Sequence, residues 1–133
     1  MLLVLLAWSC KKSEDLLYSG NFSNLQGKWE LVATESGALS GASWYPVSSG
    51  QVQFIYFRSD GVLTDSAGLP ACCSPKAYII NNKLFDLNPD FLPDNPACKS
   101  IKCAICQYYD IQISGNEMIV TPCNEGRKKY VRR

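Results

Sequence analysis

The sequence predicts an all-β protein, an antiparallel up-and-down barrel of eight strands that disulfides staple at its open end. From residue 25 onward the segments are short, rich in β-branched and aromatic residues, and separated by turn residues, with no long apolar run at helical spacing. Seven cysteines in 133 residues are typical of an exported domain held by disulfides. The absence of histidine excludes the usual general base and every zinc site that needs imidazole. A chain of this length builds one hydrophobic core. A β-sandwich is the alternative architecture.

The first ten residues, MLLVLLAWSC, form an apolar run that ends in small residues and a cysteine. A permanent membrane helix needs about 20 residues, so this shorter run is typical of a secretory signal. Its end, AWSC, resembles a bacterial lipobox, which implies that Cys10 receives a lipid. We therefore expect a signal peptide over residues 1–9, a lipid-anchored polar tether over 10–24 and the folded domain over 25–133. A short buried N-terminal strand is the alternative.

The first half of the domain contains one strand and two predicted hairpins. GKWELVATES alternates apolar and polar residues, with Trp29 and Leu31 on one side, and forms a half-buried first strand. QVQFIYFRS is rich in β-forming residues and turns at SDG into VLTDS. KAYIINNKLFDL forms the second hairpin, because Asn81 and Asn82 tolerate the positive φ that its turn requires.

The second half gives the clearest strand pairing, in the segment CQYYDIQISGNEMIVTPC. Gly115 and Asn116 form its two-residue turn, and alternate residues of both strands then face the core. The last strand lies in RKKYVRR. The predicted facing pairs of the hairpin are Ile113 with Met118, Ile111 with Val120, and Tyr109 with Pro122.

Three short motifs, in this order and spacing, resemble a known family. LQGKWEL carries Gly-x-Trp at the start of the first strand, FRSDGVL follows as a hairpin, and KYVRR ends the chain with Tyr-x-Arg. Together with the lipobox, they resemble the bacterial lipocalin-like lipoproteins, small eight-stranded barrels mostly without assigned function. The resemblance implies that Trp29 lies at the closed end of the barrel under Arg132, in a cation–π contact. The alternative is an exposed Arg132 and a Trp29 that belongs only to the core.

Cleavage before Cys10 would leave six cysteines for the domain. Alternate links of an up-and-down barrel lie at opposite ends, so all six are expected at one rim, the open end. Cys106 and Cys123 are diagonal neighbours in the predicted hairpin and form the first predicted disulfide. The other two disulfides join the adjacent pair Cys72 and Cys73 to Cys98 and Cys103, in an order that the sequence does not assign.

Two groups of large side chains are candidates for ligand binding. Trp44 and Tyr45 lie in a loop of the same rim and offer amphipathic contact surface; the alternative is that they fold back over the barrel mouth and close its core. An eight-stranded interior is just wide enough to be filled by side chains, so the alternative for the second group is simple packing. This second group, the interior candidates, consists of Leu31, Phe57, Tyr78, Tyr109 and Ile111.

These patterns predict a non-enzymatic, lipid-anchored binding protein of the bacterial cell envelope, located at the outer membrane. It would hold a small apolar ligand in the barrel or a protein partner at the rim. The membrane is expected as a partner through the anchor. Nucleic acid is not, because lysine plus arginine nearly balance aspartate plus glutamate. We expect no cofactor and no metal.

The segment CKSIKCAIC suggests two other functions. Its C-x4-C-x2-C spacing matches plant-type ferredoxins, but a cluster needs reduced thiolates, which an exported chain does not keep. Its CAIC is a C-x2-C pair, so a thiol-disulfide redox protein using Cys103 and Cys106 is the main alternative.

A hydrolase that uses the carboxylate pair Asp60 and Asp65 is a weaker hypothesis, because SDG is an ordinary turn.

Overall fold

The computed structural model describes residues 22–35, 43–104, 106–123 and 125–133, and these residues form one all-β unit. The predicted all-β class is confirmed, and within these ranges there is no α-helix and no helix long and apolar enough to span a membrane. Cys10 and the predicted signal peptide lie outside the described residues. The strands are β1 Gly27–Glu35, β2 Trp44–Pro46, β3 Phe54–Phe57, β4 Leu63–Thr64, β5 Ala77–Ile80, β6 Lys83–Asp86, β7 Tyr108–Ser114, β8 Glu117–Thr121 and β9 Lys128–Arg132, with a short 3-10 turn at Pro96–Cys98.

The strands form a single curled sheet in the order β4-β3-β1-β9-β8-β7-β5-β6, with β2 paired to the second half of β1. With β2 set aside, strand direction alternates along the chain from β1 through β3 to β9. The prediction of eight strands in a wholly antiparallel up-and-down order is not confirmed, because nine strands form a mixed sheet in which β5 and β7 are parallel. The two edges, β4 and β6, are not paired with each other, so the sheet does not close into a full barrel.

The parallel pair arises because β5 is the neighbour of β7 in the sheet, although β6 lies between them in the chain. A two-residue turn forces its strands to be neighbours, whereas parallel neighbours need a connection of about a dozen residues or more. Here β6 and the long segment after it, residues 87–104, which we call the link, supply that connection. The chain returns past β5, so that Ala77 lies opposite Tyr108 and Ile80 opposite Ile111.

The link packs against the β3–β4 hairpin. In a closed barrel the edge strand β4 would instead pair with another strand of the sheet. The Arg58 guanidinium donates to the Phe91 carbonyl at 3.1 Å, and the Asn95 amide donates to the Pro70 carbonyl at 2.9 Å. The Leu87 side chain lies so close to Gly61 that a Cβ there would come within 2.8 Å of it. The link therefore covers one open edge of the sheet with side-chain contacts in place of a ladder of hydrogen bonds.

The local turns follow the sequence closely. Asn81 and Asn82 have φ values of 47° and 69°, as a tight hairpin turn requires. The Asn81 side chain also bonds the backbone of Ile113 in both directions, through its amide at 3.1 Å and its oxygen at 2.8 Å. The predicted facing of Ile111 with Val120, and of Ile113 with Met118, is confirmed by the register of β7 and β8.

The interior of the sheet is filled by buried side chains. Trp29 and Tyr78 are fully buried, and each satisfies its polar atom. The Trp29 indole donates to the Leu25 carbonyl and the Tyr78 hydroxyl to the Gly61 carbonyl, both at 2.8 Å. The folded part of the chain starts before Leu25, because the Phe22 ring is buried against Tyr78. The core cluster is Phe22, Leu25, Trp29, Leu31, Phe57, Tyr78, Ile111, Met118, Val120 and Tyr130.

Candidate functional site

The six cysteines of the domain form three disulfides at one end of the sheet, and we call the surface that carries them the rim. Disulfide bonding is therefore confirmed. Cys106 bonds to Cys123, which is the pairing that the β7–β8 hairpin predicts. The structure also supplies the order that the sequence left open. Cys72 bonds to Cys98 and Cys73 to Cys103, with Cα atoms 5.3 and 5.1 Å apart.

The adjacent cysteines fix the link to the segment that follows β4. Cys73 has φ 62°, a left-handed conformation that is uncommon for residues other than glycine. The Ser74 hydroxyl closes the same turn by donating to the Ala71 carbonyl at 2.8 Å. Two disulfides of consecutive residues thus hold both the turn and the link in one arrangement.

The cysteines of the C-x2-C pair, Cys103 and Cys106, do not bond to each other. Cys103 bonds to Cys73 and Cys106 to Cys123, so the pair does not form the small disulfide ring that a C-x2-C redox motif uses. In this structure every thiol of CKSIKCAIC is held in a disulfide with a distant residue. The segment is therefore built as a structural part of the rim.

A hollow of about 210 Å³, the rim hollow, opens between two of these disulfides. Tyr109 is the one interior candidate that lines it; Leu31, Phe57, Tyr78 and Ile111 belong to the core cluster. Burial raises the pKa of the Tyr109 phenol, and the nearby Glu125 carboxylate adds to this effect. The phenol is thus a neutral hydrogen-bonding group at neutral pH. The lining residues are Cys73, Ala104, Cys106, Tyr109, Pro122, Cys123 and Glu125.

The two aromatic rim candidates lie on β2 and have different surroundings. The Trp44 ring has the Lys129 ammonium 4.7 Å and the Arg127 guanidinium 5.0 Å from its centre. Arg127 is in turn held by Glu35 at 2.5 Å, and this contact lowers the pKa of the Glu35 carboxyl. Trp44 is therefore packed under cations, whereas Tyr45 is 55 % exposed and remains accessible.

Further apolar side chains are exposed on and beside the rim. Ile101, between Cys98 and Cys103, is 49 % exposed, and Tyr108, at the start of β7, is 47 % exposed. These residues were not among the sequence candidates, although their position next to cysteines of the rim is a usable signal.

The opposite, closed end holds the predicted pair of Trp29 and Arg132. The Arg132 guanidinium carbon lies 4.3 Å from the centre of the Trp29 ring. The same guanidinium donates to the Gln26 carbonyl at 2.7 Å and also to the Asn24 carbonyl. These contacts hold the segment that enters β1, so they fix the start of the domain at the end of the sheet opposite the rim.

A second concave surface, the seam groove, lies between the link and the segment that joins β4 to β5. Its volume is about 270 Å³ and its lining is mainly apolar. Sequence reasoning missed it, because in the predicted closed barrel β4 lies directly beside β5 and leaves no room there. Its lining residues are Val62, Pro70, Ser74, Pro75, Lys76, Leu87, Pro89 and Leu92.

Comparison with known proteins found no match: no family model fits the chain, and neither a curated protein nor a solved structure resembles it closely enough to be matched.

Proposed function

We propose that this protein is a non-enzymatic, lipid-anchored binding module of the bacterial cell envelope that engages a protein partner through its rim. The observation that carries the proposal is the combination of exposed apolar residues, Ile101 and Tyr108, with disulfides at Cys98, Cys103 and Cys106 beside them. Disulfides that hold a surface in one conformation reduce the entropy lost on binding. The rim is thus a pre-organised contact surface.

A protein partner fits this surface better than a small ligand inside the sheet. Ligand pockets commonly have about 300 to 1,000 Å³. The core cluster occupies the space inside the sheet, and the hollows beside the disulfides, of about 210 and 440 Å³, are open at the surface. A partner that contacts the rim needs no internal cavity, because it buries exposed side chains such as Tyr45 and Tyr108.

Export and lipid anchoring are supported by the chemistry of the cysteines. Three disulfides in a small domain are typical of an oxidising compartment outside the cytosol. The odd seventh cysteine, Cys10, follows an apolar run in AWSC and is the proposed lipid acceptor. Because Arg132 holds Asn24 and Gln26 at the closed end, an anchor at Cys10 would leave the rim pointing away from the membrane.

Kinship with the lipocalin-like lipoproteins is part of this proposal. The stacking of Arg132 over Trp29 supports it, since the family places an arginine of the last strand over the tryptophan of its first motif. The parallel pairing of β5 and β7 departs from the family's strand order. The envelope location, at the outer membrane and facing either the periplasm or the cell exterior, follows from the anchor.

Site-specific photo-crosslinking in the native bacterial envelope tests the rim proposal. A crosslinking residue at Tyr108 is expected to give one discrete adduct with a protein, and the same residue at Leu84 none. Leu84 is the matched control, because it is 49 % exposed on the edge strand β6 and Tyr108 is 47 % exposed. Ile101→Ala should then weaken binding of the identified partner. Equal crosslinking at both positions, or none at Tyr108, would contradict the proposal.

The anchor is tested separately, by the mass of the protein purified from the envelope. The wild-type chain is expected to carry acyl groups on Cys10, and Cys10→Ala should leave the membrane fraction while keeping its fold. An unmodified Cys10 would remove the anchor from the proposal without affecting the rim.

A further inference from the structure

The seam groove has a lining that suits an aliphatic chain. It is walled on one side by Val62, Pro70 and Pro75 and on the other by residues of the link, Leu87 among them. Val62 and Pro75 are buried, so the bottom of the groove belongs to the packed part of the protein. Apolar walls on both sides can remove a hydrocarbon chain from water, which is a favourable change.

The walls offer few hydrogen-bond donors. Proline has no backbone N–H, and three of the lining residues, Pro70, Pro75 and Pro89, are prolines. The hydroxyl of Ser74 is already used, because it donates to the Ala71 carbonyl at 2.8 Å. An extended peptide that adds to a sheet edge needs backbone donors and acceptors opposite its own. The groove therefore suits a hydrocarbon chain better than a peptide strand.

One charged group completes the lining, the ammonium of Lys76. Lys76 is exposed, and none of the ion pairs among the described residues involves it. The other lysines of this part of the chain, such as Lys83, do not line the groove. A ligand with a negative head at Lys76 and an apolar tail along the prolines would be complementary to the groove in both charge and polarity.

We propose that the seam groove binds a single-chain anionic amphiphile, of which a medium-chain fatty acid is the simplest example. Its tail lies between the link and the β4–β5 segment, against Leu87 and Leu92, and its carboxylate pairs with Lys76. The groove adjoins the rim, because Ser74 and Lys76 also line the hollow of about 440 Å³ beside Cys73 and Cys103. It does not include Ile101 or Tyr108, so it does not depend on the proposed function. It is also preformed, because the Cys72–Cys98 and Cys73–Cys103 disulfides fix the link that forms one wall.

Decanoate, used below its critical micelle concentration, is the probe for this site. The protein is the full chain with Cys10→Ser, so that no attached acyl group competes. We expect saturable binding in a calorimetric or fluorescence titration. Intermolecular nuclear Overhauser effects are expected between the decanoate chain and the methyl groups of Val62, Leu87 and Leu92.

Paired variants separate the groove from the rest of the surface. Lys76→Gln should weaken decanoate binding by about two- to fivefold, the effect of one exposed ion pair. Lys76→Arg should restore most of it. Leu92→Ala should weaken binding by roughly tenfold through lost apolar contact. The controls Lys83→Gln and Leu84→Ala change exposed residues of β6 outside the groove and should leave the affinity unchanged.

Three results would overturn the proposal. The first is absence of saturable decanoate binding to the wild-type chain. The second is a loss of affinity in Lys76→Gln without any loss in Leu92→Ala. That result would place the ligand in the neighbouring hollow of about 440 Å³, which Lys76 also lines with Cys103 and Gln107. The third is equal affinity for decanoate and decanol. Decanol has the same chain without the charge, so equal affinity would mean that the carboxylate does not pair with Lys76.

Discussion

Arg132 and Trp29 join the last strand to the first at the closed end of the sheet. Their residues are direct neighbours in the β1–β9 ladder, and the guanidinium carbon lies 4.3 Å from the centre of the indole ring. The same guanidinium bonds two carbonyl groups of the segment before β1. One side chain thus ties the two ends of the folded chain together.

Arg132→Ala is expected to lower the free energy of unfolding by about 2 kcal/mol, since it removes a cation–π contact and two hydrogen bonds from a charged donor. Urea denaturation measures the change. Arg133→Ala is the control, because Arg133 is 53 % exposed in its pair with Glu30 and should cost less than about 1 kcal/mol. Equal losses in the two variants would show that all the contacts of Arg132 together stabilise the fold no more than one exposed ion pair does.

Tyr78→Phe should destabilise the protein by about 1 to 2 kcal/mol, because it leaves the buried Gly61 carbonyl without the hydroxyl that now bonds it at 2.8 Å. Tyr108→Phe makes the same chemical change at an exposed position and should leave stability unaltered. Thermal unfolding of both variants distinguishes the two positions. An unchanged melting temperature in Tyr78→Phe would mean that a water molecule replaces the hydroxyl.

The disulfides of the link and the disulfide of the hairpin are expected to stabilise different regions. Replacing Cys72 and Cys98 by serine, or Cys106 and Cys123 by serine, should cost about 3 kcal/mol in each case. Hydrogen exchange should then rise in the link and around Pro70 for the first variant and near Tyr108 for the second. Uniform loss of protection in both variants would mean that the rim unfolds as one unit.

Alkaline pH should unfold the protein through its buried tyrosines. Burial raises the pKa of Tyr130 to about 12, and the nearby Tyr109 and Glu125 add to the effect. The unfolded phenol has a pKa of about 10, so the stabilising contribution of Tyr130 is complete below pH 10 and is lost as the pH rises toward 12. Tyr130→Phe should therefore flatten the fall in unfolding free energy over this range, as measured by urea denaturation at stepwise pH. A slope identical to that of the wild type would contradict this assignment.

The features that the sequence predicted correctly are local ones. The turn of Asn81 and Asn82 needs positive φ at both positions, and the pairing of Ile111 with Val120 follows from alternation along one hairpin. The grouping of six cysteines at one end is predicted because it depends only on alternating strand direction. That alternation is kept even though the lateral order of the strands changes.

The features that the sequence did not predict depend on long connections. Whether β7 lies beside β6 or beside β5 is decided by the path of the link, and no periodicity in residues 87–104 encodes that path. The seam groove exists only because the link, rather than β5, covers the edge of β4. The surroundings of Trp44 were also not predicted, because Arg127 and Lys129, which contact its ring, lie more than 80 residues later in the chain.

The adjacent cysteines have a consequence for oxidative folding. Cys72 and Cys73 are neighbours, and their partners Cys98 and Cys103 lie close together in the chain, so the exchanged pairing would close loops of almost the same length. Loop-closure entropy therefore barely distinguishes the two isomers. The native isomer is therefore selected by the packing of the link against the β3–β4 hairpin and the segment after it, through the hydrogen bonds of Phe91 and Asn95. The folded arrangement of the link, and not the length of the loops, consequently decides which of the two disulfide pairings the chain keeps.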